Sequence, residues 1–122
     1  MKQTLCVLLS IFVITTAHAQ LTNTKWKATL HTDTPMDVYF NFSADTLDVV
    51  SADDNSILET STFSVQDSVL AIKKLYGQSE CDTATGKYSF SITANDMILH
   101  LLSDSCDMRA NVIGDLKLNK EE

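Results

Sequence analysis

The stretch Met36-Asp37-Val38-Tyr39-Phe40-Asn41-Phe42 decides the fold class, because apolar residues recur at every second position along it. A period of two is typical of a β-strand that buries one face and exposes the other. Trp26-Lys27-Ala28-Thr29-Leu30 and Tyr88-Ser89-Phe90-Ser91-Ile92 repeat the pattern on either side of it. We therefore predict an all-β domain.

Eight runs of this kind follow one another, and short turns rich in Asp, Asn and Ser separate most of them. They start near residues 24, 36, 46, 57, 69, 87, 97 and 115, with one helical turn expected between 103 and 114. Strands that are neighbours in sequence usually pair in space, and closing such a sheet removes its exposed edges. We predict a small eight-stranded antiparallel up-and-down barrel, with a two-sheet β-sandwich as the alternative.

The first 19 residues predict a secretory signal peptide. Lys2 precedes an apolar run from 5 to 17, and Ala17-His18-Ala19 supplies the small-x-small pattern of a cleavage site. The run is shorter than the ~20 apolar residues of a membrane-spanning helix. Cleavage after Ala19 leaves residues 20–122 as a single domain, secreted or periplasmic, and no other segment predicts membrane insertion.

The charge of the chain limits its partners. It has 9 Lys and Arg against 16 Asp and Glu, for a formal net charge of −7. Scattered basic residues on an acidic chain argue against nucleic acid and anionic membranes, which both favour clustered Lys and Arg. His31 and His100 lack the spacing of a zinc site, and no nucleophile and base form a recognisable motif. We therefore expect that the protein is not an enzyme and that it binds neither a metal ion nor a cofactor.

Two cysteines, Cys81 and Cys106, remain once the signal peptide is removed. In an exported chain two cysteines predict one disulfide, whereas in a cytosolic protein they would suggest metal binding or catalysis. The bond closes a loop of about 25 residues, for which the chain-entropy model gives roughly 3.5 kcal/mol of stabilisation.

The order of these landmarks resembles the bacterial lipocalin-like (calycin) family of small exported proteins. Thr24-Lys25-Trp26 stands where lipocalins have a Gly-x-Trp at the first strand, with Thr24 in place of the glycine. The motif Cys81…Gly86-x-Tyr88-x-Phe90…Asp104-x-Cys106-x-x-Arg109 is similar to the small bacterial relatives. The resemblance implies that the Arg109 guanidinium packs across the Trp26 indole as a structural closure of the barrel, with a ligand anchor as the other reading.

The alternation also predicts which side chains face the barrel interior. They are Val38, Phe40, Leu47, Val49, Phe63, Leu70, Ile72, Tyr88, Phe90, Ile98 and His100. Five of them are candidate ligand contacts, although all could simply be core: Phe40, Phe63, Tyr88, Phe90 and His100. Tyr88 and His100 place polar atoms on an apolar face, and a buried polar atom needs a partner that a ligand could supply.

Two hypotheses follow from this pattern. The first is a secreted or periplasmic lipocalin-like protein that binds a small apolar or amphipathic ligand, because Tyr88 and His100 interrupt an apolar face and an eight-stranded barrel is just wide enough to be filled by side chains or to hold one small ligand. The second is a barrel with a filled interior that acts as a protein-binding or inhibitory module of the cell envelope. Short strands and an acidic surface, which could dock a basic protein, motivate the second hypothesis.

Overall fold

The structure is a computed structural model that describes residues 20–121, so the predicted signal peptide lies outside the described residues. Within this range the chain forms eight strands and a short helix. The strands are β1 (Thr24–Leu30), β2 (Met36–Phe42), β3 (Thr46–Ser51), β4 (Ile57–Gln66), β5 (Val69–Gly77), β6 (Thr85–Thr93), β7 (Asp96–Ser103) and β8 (Lys117–Glu121). The helix α1 (Asp107–Ile113) connects β7 to β8.

The strands form a closed antiparallel up-and-down barrel in which each strand pairs with the next in sequence. The last pairing joins β1 to β8, with Lys25 opposite Glu121 and Ala28 opposite Leu118. Closure leaves no free sheet edge, which satisfies the backbone hydrogen-bonding groups that an open meander would expose. The predicted barrel is confirmed, and the two-sheet sandwich is wrong.

The observed strand starts agree with those predicted from the sequence. Turn residues interrupt the alternation of apolar and polar side chains, so each strand begins where the alternation resumes. β1 to β5 begin at the predicted residues, and β6, β7 and β8 begin within two residues of them. The β4–β5 hairpin shows the local reason. Asp67 and Ser68 both have positive φ, 50° and 62°, between the paired residues Gln66 and Val69. That is the backbone of a two-residue hairpin turn whose twist matches that of the strands.

Large side chains fill the barrel interior. Trp26, Tyr88 and Phe40 are the largest fully buried residues, and Phe42 packs edge-on against Phe63 with ring centroids 5.0 Å apart. Most of the side chains predicted to face inward belong to this core, and Val49 is partly buried against it. Ile98 and His100 are the two that do not. The apolar residues of a chain this small are therefore used mainly to fold it.

Strand β7 is the exception, and the predicted interior positions Ile98 and His100 are wrong. Met97 and Leu99 are fully buried, whereas Ile98 is 37% exposed. The His100 side chain is 56% exposed and lies 3.1 Å from Asp115, on the outside of the barrel. The register explains the reversal, since Leu99 pairs with the inward-facing Phe90, and inward residues share one face of a sheet.

The two ends of the barrel are closed differently. At the end where β1 begins, Leu21 is fully buried in the core, and the Thr24 hydroxyl donates to its carbonyl oxygen. At the other end α1 lies across the strand ends, where the backbone N–H of His31 donates to the carbonyl of Val112 at 3.1 Å. We call this second end the helix end.

The register of β7 can be tested with two neighbouring substitutions. We expect Leu99→Ala to lower the free energy of unfolding by about 2–5 kcal/mol, because it opens a cavity in a filled core. Ile98→Ala is the matched control, and it should cost less than about 1 kcal/mol because Ile98 faces solvent. Urea unfolding of both variants measures the difference. Equal losses, or a larger loss for Ile98→Ala, would contradict the register.

Candidate functional site

A buried ion pair organises the helix end of the barrel. The Asp104 carboxylate accepts from Arg109 through both Nε at 2.6 Å and Nη2 at 2.8 Å. It also accepts from the Tyr88 hydroxyl and from the backbone N–H of Cys106, at 2.9 Å. Arg109 Nη2 donates further to the carbonyl of Ala84 at 2.9 Å. The Asp104 side chain is completely buried and that of Arg109 is 5% exposed, so these bonds replace water for both charges.

The pKa values in this cluster follow from its hydrogen bonds. Burial alone raises the pKa of the Asp104 carboxyl, but the bonds from Arg109, Tyr88 and Cys106 outweigh burial and hold that pKa below its ordinary value. Burial, together with the Asp104 carboxylate, raises the pKa of the Tyr88 phenol. Asp104 is therefore charged and Tyr88 is a neutral donor at neutral pH.

Gly86 makes room for the ion pair. A Cβ added at Gly86 would lie 2.3 Å from Asp104 Oδ2 and 2.9 Å from Arg109 Nε. Any other side chain at this position would therefore displace the carboxylate or the guanidinium. Gly86, Tyr88, Asp104, Cys106 and Arg109 all come from the motif quoted from the sequence, and the structure brings them together around one carboxylate.

The predicted packing of Arg109 across Trp26 is wrong. The indole Nε1 of Trp26 donates to the Thr24 hydroxyl at 2.8 Å, near the start of β1. Arg109 lines the groove at the helix end together with Leu30, and Leu30 is about 13 Å along β1 from Trp26 at the usual rise per residue. The side chain that binds Trp26 is therefore the threonine that replaces the glycine of the lipocalin pattern, and the partner of Arg109 is Asp104.

The disulfide between Cys81 and Cys106 is present, with Cα atoms 5.4 Å apart. It joins the loop between β5 and β6 to the residue that precedes α1. Because Cys106 also donates its N–H to Asp104, one residue links the covalent bond to the ion pair. The disulfide therefore fixes both the loop and the start of the helix at the same end of the barrel.

A largely apolar groove of about 380 Å³ opens beside this cluster. It lies between α1 and the ends of several strands, so its walls come from distant parts of the chain. The lining residues are Leu30, Thr32, Met36, Val49, Leu58, Glu59, Gln78, Ser79, Met108, Arg109, Val112 and Ile113. The Nη1 atom of Arg109 is buried and has no hydrogen-bond partner.

Glu59 is the acidic residue in the wall of the groove. The Ser79 hydroxyl donates to its Oε1 atom. Lys74 donates from Nζ to the backbone carbonyl of Ser79, and among residues 20–121 it forms no ion pair with Glu59. The groove therefore combines apolar walls with one carboxylate and one guanidinium, and the guanidinium is already neutralised by Asp104.

The candidate ligand residues predicted from the sequence do not line this groove. Phe40, Phe63, Tyr88 and Phe90 pack within the core, and His100 faces outward beside Asp115. Alternation could not reveal the groove residues, because they lie at strand ends, in loops and on α1. The one available signal for the adjacent ion pair was Asp104, an acidic residue inside the motif quoted from the sequence.

Two other depressions lie elsewhere on the barrel. The larger, of about 570 Å³, is lined mostly by polar residues of β1, β2 and β8 and of the segment before β8, among them Lys27, Asp37, Asp115 and Asn119. The other, of about 350 Å³, lies around the β4–β5 hairpin. The groove at the helix end has the most apolar walls of the three, so it is the stronger candidate site for a small molecule.

In the part of the chain that the structure describes, no three His, Cys, Asp or Glu side chains are grouped to hold a metal ion. No helix there is long and apolar enough to span a bilayer. No protein-family model, curated protein or solved structure matches the chain. Membership of the lipocalin-like proteins therefore stays a prediction from the residues, while the barrel itself is established by the structure.

The ion pair can be tested by removing its negative charge. We expect Asp104→Asn to lower the free energy of unfolding by about 3–5 kcal/mol at neutral pH, because it leaves Arg109 buried without a counter-ion. Asp107→Asn, on the first turn of α1, is the control and should cost at most about 1 kcal/mol. Urea unfolding of the wild type and both variants measures the losses.

The free energy of unfolding that Asp104 contributes should also depend on pH. The pKa of Asp104 is lowered by folding, so its contribution is complete above the ordinary value of about 3.9 and is lost as the pH falls through the lower folded value. The difference between wild type and Asp104→Asn should therefore shrink below about pH 4. A difference that stays constant down to about pH 2 would contradict a charged, paired Asp104.

Proposed function

We propose that this protein is an exported lipocalin-like barrel that binds a small amphipathic molecule in the groove at its helix end. The observation that carries the proposal is the largely apolar groove of about 380 Å³ at the helix end, whose walls come from α1, from strand ends and from loops. A ligand that occupies this groove would remove its apolar walls from water, which favours binding.

The size of the groove supports binding at the barrel mouth instead of its centre. The interior is occupied by fully buried side chains such as Trp26, Phe40 and Tyr88. The groove, at about 380 Å³, falls at the lower end of the range of about 300–1,000 Å³ typical of small-molecule sites. A ligand of modest length fits this volume, whereas a large lipid would not.

The compartment is part of the same proposal. A disulfide is stable in oxidising environments such as a periplasm or the cell exterior and is rare in the cytosol, and Cys81 and Cys106 form one here. Together with the signal-like residues 1–19, the bond supports a secreted or periplasmic protein. Measurement of the N-terminus of protein isolated from its host tests this directly, and a chain that still begins at Met1 would overturn it.

A substitution on α1 tests the groove as the binding site. Val112 lines the groove, whereas the adjacent Asn111 is exposed and does not. We expect Val112→Phe to fill part of the groove and weaken the binding of Nile red, an uncharged dye that fluoresces in apolar sites, by about tenfold or more. Asn111→Phe, the same change one residue away, should leave the dye affinity unchanged.

Thermal unfolding of both variants shows whether either substitution merely disrupts the fold. If both stay folded and bind the dye as the wild type does, the groove is not the binding site. Native mass spectrometry of protein purified from its host complements the titration. Failure to find either a co-purified small molecule or dye uptake would overturn the proposed function.

The alternative function, a protein-binding module of the envelope, has support from apolar side chains on the outer surface. Leu75 and Tyr76 on β5 and Leu102 on β7 are each more than half exposed. Exposed apolar side chains of this size are common at protein interfaces. Crosslinking in the host envelope should then capture one reproducible partner, and loss of that partner in a Tyr76→Ser variant would identify the surface. The absence of any reproducible partner would remove this alternative.

A further inference from the structure

We infer that the groove at the helix end takes an amphipathic cation, an apolar chain that carries one protonated amine. This inference rests on the proposed function and adds the charge of the ligand head group. Two observations carry it together with the apolar walls of the groove: the acidic loops that surround the groove, and a carboxylate that faces into it.

The acidic residues of the loops are concentrated at the helix end. In an up-and-down barrel alternate connections lie at the same end, and four of them meet at this one: 31–35, 52–56, 78–84 and 104–116. Together they contain eight acidic residues, Asp33, Asp53, Asp54, Glu80, Asp82, Asp104, Asp107 and Asp115. Arg109 is the one Lys or Arg in these connections, and it pairs with Asp104. Seven acidic residues therefore remain around the groove.

The opposite end of the barrel is much less acidic. Its three connections, 43–45, 67–68 and 94–95, contain two acidic residues, Asp45 and Asp67, and no Lys or Arg. The negative charge of the loops is thus polarised toward the end that holds the groove. Charges of one sign around a concave apolar site raise the local concentration of ligands of the opposite sign.

Glu59 places a further carboxylate inside this ring of acidic loops. It lies opposite Val49 in the β3–β4 ladder, and Val49 packs against the core, so both side chains belong to the inward face of the sheet. Glu59 is half-buried and lines the groove. Its Oε1 atom accepts from the Ser79 hydroxyl, and within residues 20–121 no Lys, Arg or His forms an ion pair with it.

Lys74 is the basic residue connected to Glu59 through Ser79. Its ammonium donates to the backbone carbonyl of Ser79, and this single positive charge offsets only one of the carboxylates at the helix end. An ammonium group on a ligand can donate to the remaining lone pairs of Glu59 and is attracted by the loops. A ligand carboxylate is repelled by both, and a hydroxyl group gains no attraction at a distance.

Three molecules with the same ten-carbon chain test the inference: decylamine, decanol and decanoate, titrated calorimetrically into the disulfide-bonded protein at neutral pH. We expect decylamine, which is protonated at this pH, to bind at least about fivefold more tightly than decanol, and decanoate to bind most weakly. Salt should reduce the advantage of decylamine over decanol, because the screening length falls from about 30 Å at about 0.01 M to about 10 Å at about 0.1 M.

Matched variants locate the charges that matter. Glu80→Gln combined with Asp82→Asn removes two exposed carboxylates from the loop beside the groove, and it should weaken decylamine binding by at least about threefold without changing decanol binding. Glu59→Gln should have the same two effects. Asp45→Asn combined with Asp67→Asn removes two exposed carboxylates from the opposite end. This control should alter the binding of neither molecule at about 0.1 M salt.

The outcomes separate this inference from the proposed function. If decanol or decanoate binds at least as tightly as decylamine, the inference is overturned while a dye-binding groove still stands. Equal effects of the two double variants, or no effect of Glu59→Gln, overturn it as well. A short peptide of alternating Lys and Leu is the competing occupant, and if it binds while decylamine does not, the acidic end serves a protein partner instead. If Nile red and all three molecules fail to bind, the inference and the proposed function fail together.

Discussion

The Asp104 carboxylate is the group on which the helix end of the barrel depends. It accepts four hydrogen bonds, from the Arg109 Nε and Nη2 atoms, the Tyr88 hydroxyl and the Cys106 N–H. These donors come from β6, from α1 and from the residue before α1. One buried charge therefore orients a strand, a helix and the disulfide at once, and a charge without those donors would be too costly to bury. The glycine at 86 follows from the same constraint, since the carboxylate occupies the place of its side chain.

The ion pair also borders the groove at the helix end, through Arg109. The barrel interior is filled because a domain of this length needs its apolar side chains to fold, so the groove lies at the mouth of the barrel, beside the pair. Because Asp104 neutralises Arg109, the carboxylate of Glu59 is the remaining charge among the residues that line the groove.

The sequence predicted the fold more completely than the site, for reasons that individual elements make clear. Strand β2 alternates without a break, so its position and inward face were predictable. Strand β7 has apolar residues at 97, 98, 99, 101 and 102, so alternation could not choose a face, and His100 was assigned to the wrong one. The inward face of β7 is determined instead by the residues that pair with it on the neighbouring strands, Phe90 and Leu118. The cysteine pair was predictable because only two cysteines remain after residue 19.

The partner of Arg109 was not predictable in the same way. The resemblance to lipocalins pointed to Trp26, but Trp26 binds Thr24, and the helix containing Arg109 lies at the opposite end of the barrel. No local sequence pattern could predict the groove, because its lining residues come together only when the barrel closes. They include Leu30, Leu58, Met108 and Val112. Residues that converge from strand ends and loops have no period in the sequence.

Closure of the barrel by β8 has a consequence for the chain while it is being made. β8 is five residues long, lies at the very end of the described chain and pairs with both β1 and β7. Until it is synthesised and docked, those two strands present unpaired backbone edges of the kind that promote aggregation. Premature termination just before Lys117 would leave seven complete strands and no closed barrel. A chain that lacks this shortest strand would therefore expose two sheet edges that the complete chain pairs.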